Sequence, residues 1–407
     1  MAMASQAPNL GTFDIVVVGG GPAGSAAAYT AARLGLTVCI IDRSTFPREK
    51  LCGGLVTPRA EAVFQRVFGR PLDNRLIFSS DQVSFFSNNR LLATQNGYCH
   101  LHFVMRREFD TYLLSLAQEA GASLLLGNPV SSVDIERNAV TLSNGEQFRY
   151  EVLIGSDGVN SVVARNLFGF SFRKENIGFG LEVEVPRYML PTQSDTVEID
   201  FGVAKWGYGW VFPKVSTFTI GIGGIHRLNP DLRESLRKYL ALKGVDISSL
   251  KVRGQFIPFG DYRKSPGRGN VLLSGDAAGV VDPITGEGIA HAMQTGYTAA
   301  CAAATALQQH APTKALDSYL PGYAQTTRSI REAAFWRYLI FPRVLRRPFS
   351  WAFADAGTLQ RGYLDILAGK HEYNALYGLF ALQTLKALRK LLRRVLKSLH
   401  IVDGHEG

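Results

Sequence analysis

Residues 13–42 read FDIVVVGGGPAGSAAAYTAARLGLTVCIID, and this stretch decides the fold. Phe13–Val18 is an apolar run of strand length, a triple glycine follows, SAAAYTAARLG is a helix of small residues, and LTVCIID is a second apolar run closing on Asp42. Strand, tight turn, helix and strand in this order make one βαβ unit. Gly19, Gly21 and Gly24 fit G-x-G-x-x-G directly after the first strand. The first glycine makes the turn, the second lets the backbone approach a pyrophosphate, and the third lets helix and strand pack closely. The helix N-terminus, with Pro22 and Ala23 in its first turn, then faces the phosphate charges. Asp42 follows Gly24 by 18 residues, where a carboxylate accepts hydrogen bonds from a ribose hydroxyl and repels a 2′-phosphate. Its neighbour Arg43 joins the predicted dinucleotide site.

Working outward, REFDTYLLSLAQEA at 107–120 predicts an amphipathic helix carrying Leu113, Leu114 and Leu116 inward, and 130–150 predicts a strand meander with turns at Arg137-Asn138 and Asn144-Gly145. YEVLIGSDG at 150–158 and NVLLSGDAAG at 270–279 are two more buried strands ending in turns, the second followed by a small-residue helix over roughly 287–307. Between Ile177 and Gly260 the style changes: FGLEVEVP, TVEIDFG, YGWVFPK and FTIGIGGI predict antiparallel strands. The expected architecture is α/β, with a Rossmann-like dinucleotide-binding domain (1–80, 99–176 and 265–325) split by an antiparallel substrate sheet (81–98 and 177–264), and a helical, basic C-terminal region over 326–407.

Composition narrows the classes. The 407 residues are 46% hydrophobic and carry a net charge of +10, which excludes a chain that is disordered throughout. Four cysteines (Cys39, Cys52, Cys99 and Cys301) without CxxC spacing make neither a disulfide scaffold nor a zinc module, so a reduced, cytoplasmic setting is expected; the eight histidines show no metal spacing. No apolar stretch reaches the ~18 residues of a membrane span, and MAMASQAPNL lacks the charged start and apolar core of a secretory signal. The positive charge is concentrated: from Arg328 onward there are 14 Lys+Arg and 6 Asp+Glu, while the preceding residues hold 30 and 28.

Later motifs identify the cofactor and the family. Asp157-Gly158 in VLIGSDGVNSVVAR resembles the Asp-Gly motif of flavoprotein hydroxylases, and Gly275-Asp276 in NVLLSGDAAGVVDPITGEGI resembles their second flavin motif. The resemblance implies FAD, with Asp276 on the ribityl chain, Arg106 near the phosphates, and Pro283, Gly286, Glu287, Gly288 and Ile289 at the isoalloxazine edge. Lys50-Leu51-Cys52-Gly53-Gly54 resembles the KxCGG segment of geranylgeranyl reductases, and Tyr208-Gly209-Trp210-Val211-Phe212-Pro213 fits their YxWxFP strand; with Thr285-Gly286-Glu287-Gly288 the similarity covers roughly residues 13–320. It implies the glutathione reductase-type fold of p-hydroxybenzoate hydroxylase, with Cys52, Gly53 and Gly54 beside the flavin, and reduction of an isoprenoid C=C bond.

That chemistry needs a hydride on one alkene carbon and a proton on the other, with developing cation character held in a dry, aromatic pocket. Tyr208 and Trp210 supply such faces, and Phe179, Phe201 and Phe212 are expected along an isoprenoid channel unless they are ordinary sheet packing. Cys52 is the third catalytic candidate; the proton donor is not evident. Electrons are expected from NAD(P)H or a reduced carrier, since there is no second GxGxxG. The rival reading is an FAD monooxygenase of an aromatic or lipophilic substrate; another is a flavin-loaded membrane- or nucleic-acid-binding protein without turnover. Finally, Leu382, Leu385, Leu388, Leu392, Val395 and Leu399 alternate at helical spacing with Lys386, Arg389, Lys390, Arg393, Arg394 and Lys397. Together with AFWRYLIFPRVLRRPFSWAF upstream, this suits an anionic membrane surface or a helix docked on the body; nucleic acid is not expected.

Overall fold

In the computed structural model, which describes residues 11–375 apart from 192–193, 260 and 356, the strand Gly11–Val18 is the centre of the first sheet. It pairs in parallel with Val38–Asp42 on one side and Gln147–Gly155 on the other. Ser123–Leu126 and Val271–Leu273 extend this parallel sheet outward. Both faces are covered, which is why the strands read as unbroken apolar runs: Ile15, Val16 and Val17 are fully buried. The expected meander is a hairpin, Val130–Asp134 with Ala139–Leu142, joined antiparallel to Gln147–Gly155. Asn138 and Gly145 take positive φ in its turns.

Two helices of small residues, Pro22–Arg33 and Ile289–Gln308, press on each other. A Cβ on Gly296 would stand 2.0 Å from the Ala23 carbonyl oxygen, so only a glycine permits this approach. The helix Arg106–Glu119 buries Leu113, Leu114 and Leu116 as its spacing predicts.

The second sheet runs in the order Arg253–Ile257, Gly178–Pro186, Thr217–Ile225, Gly207–Pro213, Val197–Phe201, Ile77–Ser87, Arg90–Val104, Leu55–Val56. All neighbours are antiparallel except Val197–Phe201 with Ile77–Ser87, which pair in parallel. The expected boundary of 81–98 is too narrow, because the long hairpin starts at Ile77, ends at Val104 and takes Leu55–Val56 as a further edge strand. On one face Val183, Val185, Ile220 and Ile222 pack against the helix Leu232–Leu242.

The described part of the C-terminal region is helical, as expected, and covers the other face. The helices Ala315–Ile340, Arg346–Asp355 and Gly357–Leu367 form part of the body, burying Trp336, Phe341, Phe353, Tyr363 and Leu364 against Phe85, Phe103 and Phe201. Aromatic residues that sequence composition assigned to an interface are thus divided: Phe353 is 3% exposed, Trp351 63%. The amphipathic stretch from Leu382 onward lies outside the described residues. Among the described residues no helix is long and apolar enough to cross a membrane.

Candidate active site

A cavity of about 550 Å3 lies where the two sheets meet, within the size range of small-molecule sites. Its floor is the glycine loop. Gly19 has φ +103° and lies against Ser156, where a Cβ would come within 2.5 Å of the carbonyl oxygen. Gly24 faces the Gly19 carbonyl at a would-be Cβ distance of 1.8 Å. Gly21, the N-cap of Pro22–Arg33, differs: its side-chain direction is open, with only Arg48 Nη2 at 3.6 Å. Gly19, Gly21, Pro22 and Ala23 line the cavity, whereas Gly24 is packed behind it. Asp42 is 8% exposed and already braces the loop, its Oδ2 accepting the Gly20 N–H at 2.7 Å and its Oδ1 the Ser44 N–H at 2.8 Å. Asp42 and the exposed Arg43 both reach the cavity.

Above the floor, Arg106 is buried and grips Asp110 through Nε and Nη2 at 2.6 and 2.8 Å. Arg48 shares the same carboxylate at 3.1 Å. Two guanidinium groups on one carboxylate leave net positive charge beside the helix N-terminus, a suitable setting for a pyrophosphate. Asp157 accepts from the Val162 and Val163 amides through Oδ2, while its buried Oδ1 has no hydrogen-bond partner among the described residues and burial raises its pKa. An open glycine cradle, paired guanidinium groups and an orphaned buried acceptor all fit FAD. Bound FAD supplies hydride chemistry at its ring; the protein's part is to hold and orient it.

The wall expected at the ring edge is knotted by Asp282, whose Oδ1 accepts the Ile284 and Thr285 N–H groups at 2.8 Å and the Tyr373 hydroxyl at 2.9 Å. Asp276, Pro283, Gly286, Gly288 and Ile289 line the cavity; Gly275 does not, its N–H donating to Thr295 Oγ1 behind the wall. Gly288 caps the helix Ile289–Gln308, two residues beyond the expected start. Glu287 is not free: Thr57 Oγ1 donates to its carboxylate and Arg59 Nε stands 3.6 Å away. Burial still lifts its pKa to about 7. His291 receives no new role; its Nδ1 lies 3.2 Å from the Glu287 carbonyl oxygen and burial lowers its pKa.

Facing this wall is the Cys52-Gly53-Gly54 turn, and its glycines have a steric reason. A Cβ on Gly53 would meet the Phe212 ring at 2.7 Å, and one on Gly54 (φ +76°) the Val104 carbonyl oxygen at 2.1 Å. The turn is therefore pressed between the aromatic strand and the long hairpin. Cys52 Sγ accepts the Gly54 N–H at 3.4 Å, and its thiol lies beside the Arg106 guanidinium. Tyr208, Trp210 and Phe212 alternate onto the same face of Gly207–Pro213 and line the cavity. The Tyr208 hydroxyl donates to the Thr285 carbonyl, and burial pushes its pKa up. Its proton is committed to a carbonyl, so the ring is its working surface. Of the channel phenylalanines only Phe212 reaches the cavity. Phe201 packs on Phe85, Phe349 and Phe353, and Phe179 on His226 and Phe256.

Lys50, quoted in the sequence only as the head of the KxCGG motif, and Arg48 and Glu182, not singled out there, also belong to the site. Lys50 lines the cavity, with its pKa lowered by burial against the pull of Asp276. Arg48 was missed because a lone arginine in a loop carries no pattern. Glu182, 5% exposed, accepts the Cys52 N–H at 2.9 Å, and burial raises it to about 7. The alternation GLEVEV carried its signal: Glu182 falls among glycines on the face opposite Val183 and Val185.

Two family models match the chain, an FAD dependent oxidoreductase over residues 14–154 and an FAD binding domain over 223–333. The geranylgeranyl diphosphate reductase of Rhodobacter capsulatus is 34% identical over 316 residues, 74% of this chain and 77% of that one. The menaquinone reductase of Mycobacterium tuberculosis is 34% identical over 312 residues, 70% of this chain and 75% of that one. A geranylgeranyl bacteriochlorophyll reductase-like protein from Thermoplasma acidophilum superposes with a TM-score of 0.69 at 22% identity, covering 88% of this chain and 92% of that one.

Proposed function

The chain belongs to the geranylgeranyl reductase family of FAD-dependent oxidoreductases, and from that premise we propose that it saturates C=C bonds of an isoprenoid or similarly lipid-like substrate, using reduced FAD. The observation that carries this reading is one cavity walled by Tyr208, Trp210 and Phe212 on one side and the Cys52-Gly53-Gly54 turn on the other. An isolated alkene offers nothing to a hydrogen bond, so a pocket for it recognises shape and polarisability, which aromatic faces provide. The same faces stabilise positive charge that develops on carbon as a proton arrives. The pyrophosphate cradle and the ring-edge wall hold the cofactor, and Asp282 keeps that wall rigid through three hydrogen bonds to one oxygen. Two relatives bear the names of prenyl-chain and quinone reductases, which sets the first substrates to try.

NAD(P)H or a reduced carrier supplies the electrons, and the protein works at a membrane surface. In support of the latter, Val344 and Trp351 are 83% and 63% exposed, with Arg343 exposed just before Val344 and Arg347 exposed between the two. Apolar side chains interspersed with cations suit an anionic bilayer. The test is anaerobic: the photoreduced protein is mixed with geranylgeranyl diphosphate or menaquinone, and the products are weighed by mass spectrometry. Flavin reoxidation with a gain of two hydrogens per saturated bond is expected. No reoxidation by the alkene without oxygen, followed by insertion of an oxygen atom when air is admitted, would establish the monooxygenase.

A further inference from the structure

Glu182 belongs to a register row on the second sheet. It pairs with Gly221 on the neighbouring strand, and Gly221 pairs in turn with Trp210. A Cβ on Gly221 would come within 2.3 Å of the Trp210 ring, so the absent side chain lets the indole lie across Gly221, its far edge over Gly180 and Gly223. Glu182 and Trp210 both line the main cavity. Behind Glu182 is a second cavity of about 90 Å3, with room for a few waters, lined by Lys50, Cys52, Arg106, Glu182, Lys214 and Arg253 among others. Glu182 is therefore in the partition between the two spaces.

Its two oxygens are unequal. Oε1 accepts the Cys52 N–H, while the buried Oε2 has no hydrogen-bond partner among the described residues. Glu184, two residues on, shows the contrast: its carboxylate is saturated by Lys214, Thr217 and Thr219. Two other candidates of the site are occupied. Glu287 is held by Thr57 and Arg59, and the Tyr208 proton is given to Thr285.

We propose that Glu182 is the proton source of the reaction, recharged from solvent through the second cavity. The inference rests on the alkene-reductase reading above. In the step, the alkene carbon that does not take the flavin hydride takes the Glu182 proton; the π pair forms that C–H bond, the flavin becomes oxidised, and the carboxylate left behind regains its proton from water. The charged groups facing Glu182 are Lys50 and Arg106 from the active-site loop and its helix, Glu184 on its own strand, Lys214 at the end of the aromatic strand, and Arg253 across the edge. Burial favours the neutral acid, which Lys214 opposes, and the balance near neutrality lets the group both give and regain a proton.

The test uses the FAD-loaded protein and its Glu182→Gln and Glu182→Asp variants. With geranylgeranyl diphosphate under argon, Glu182→Gln should reoxidise at least 100-fold more slowly than wild type, the scale of a lost general acid. Glu182→Asp should recover at least tenfold of that loss, which a packing role would not give. A second readout needs no turnover: between pH 5 and 8 the wild-type melting temperature should fall relative to that of Glu182→Gln, because the folded state holds this proton more tightly than the unfolded one. Rates of wild type and Glu182→Gln within threefold, or parallel melting curves across that range, would overturn the assignment while leaving the reductase reading intact. A wild-type protein that no prenyl alkene reoxidises would remove the reductase reading and Glu182's role with it.

Discussion

Gly21 and Gly24 occupy one motif and should fail in opposite ways. In Gly21→Ala the new methyl group enters open space, with Arg48 Nη2 at 3.6 Å as its only neighbour, and the backbone φ of −77° suits alanine. Alanine is a poorer N-cap than glycine by up to ~1 kcal/mol, and it restricts the unfolded chain by ~0.4–1 kcal/mol in the opposite sense. The two nearly cancel, so the cofactor-free protein should melt within about 2 °C of wild type. In the proposed FAD site the methyl group would stand where the pyrophosphate approaches the helix N-terminus. Losing one or two charge-assisted hydrogen bonds there, each ~1.5–3 kcal/mol, should weaken FAD binding by about 3 kcal/mol, on the order of a hundredfold. In Gly24→Ala the methyl group would stand 1.8 Å from the Gly19 carbonyl oxygen, which nothing but backbone movement relieves. Overpacking of this kind costs ~1–3 kcal/mol or more and should lower the apo melting temperature by several degrees. Equilibrium dialysis and thermal melts of the deflavinated variants separate the two effects. If Gly21→Ala kept FAD affinity within threefold of wild type, the cradle would be misassigned.

Cys52→Ala should retain FAD but slow alkene-dependent reoxidation at least tenfold in stopped flow, because the thiol lies in the turn that faces the aromatic wall; an unchanged rate would reduce Cys52 to packing. Asp200 is buried with one oxygen unpartnered among the described residues, and burial raises it to about 6, so wild type should lose stability relative to Asp200→Asn as pH climbs from 4 to 7, by up to ~3 kcal/mol. Urea melts at the two ends of that range check the sign. Trp351→Ser combined with Val344→Ser should reduce co-sedimentation with phosphatidylglycerol vesicles without changing the melting temperature; undiminished sedimentation would move the contact elsewhere.

The nucleotide half was open to reading because local rules made it. An apolar run such as Ile15, Val16, Val17 and Val18, buried on both faces, glycines with steric reasons at 19 and 24, and an acid at 42 are short-range patterns, and the sheet preserves them. The Cys-Gly-Gly turn was legible as a motif, although what it presses against, Phe212 and Val104, lies in distant strands. Glu182 was hidden for the same reason. Alternation placed it on a face, but only the register with Gly221 and Trp210 brings it to the cavity. Phe201 misled because an aromatic strand residue looks alike whether it lines a channel or meets a helix, and the helix that covers it begins more than a hundred residues later.

The stitching of Tyr373 to Asp282 and of Glu372 to Arg59 has a consequence for biosynthesis. Arg59 and Glu372 are 313 positions apart in the chain. At ~5–20 residues per second, a ribosome needs about 15–60 s to make the second after the first. During that interval the ring-edge wall lacks its final brace, so the nascent chain cannot yet enclose a cofactor firmly. In the proposed site, firm flavin capture therefore waits until Glu372 and Tyr373 have been made.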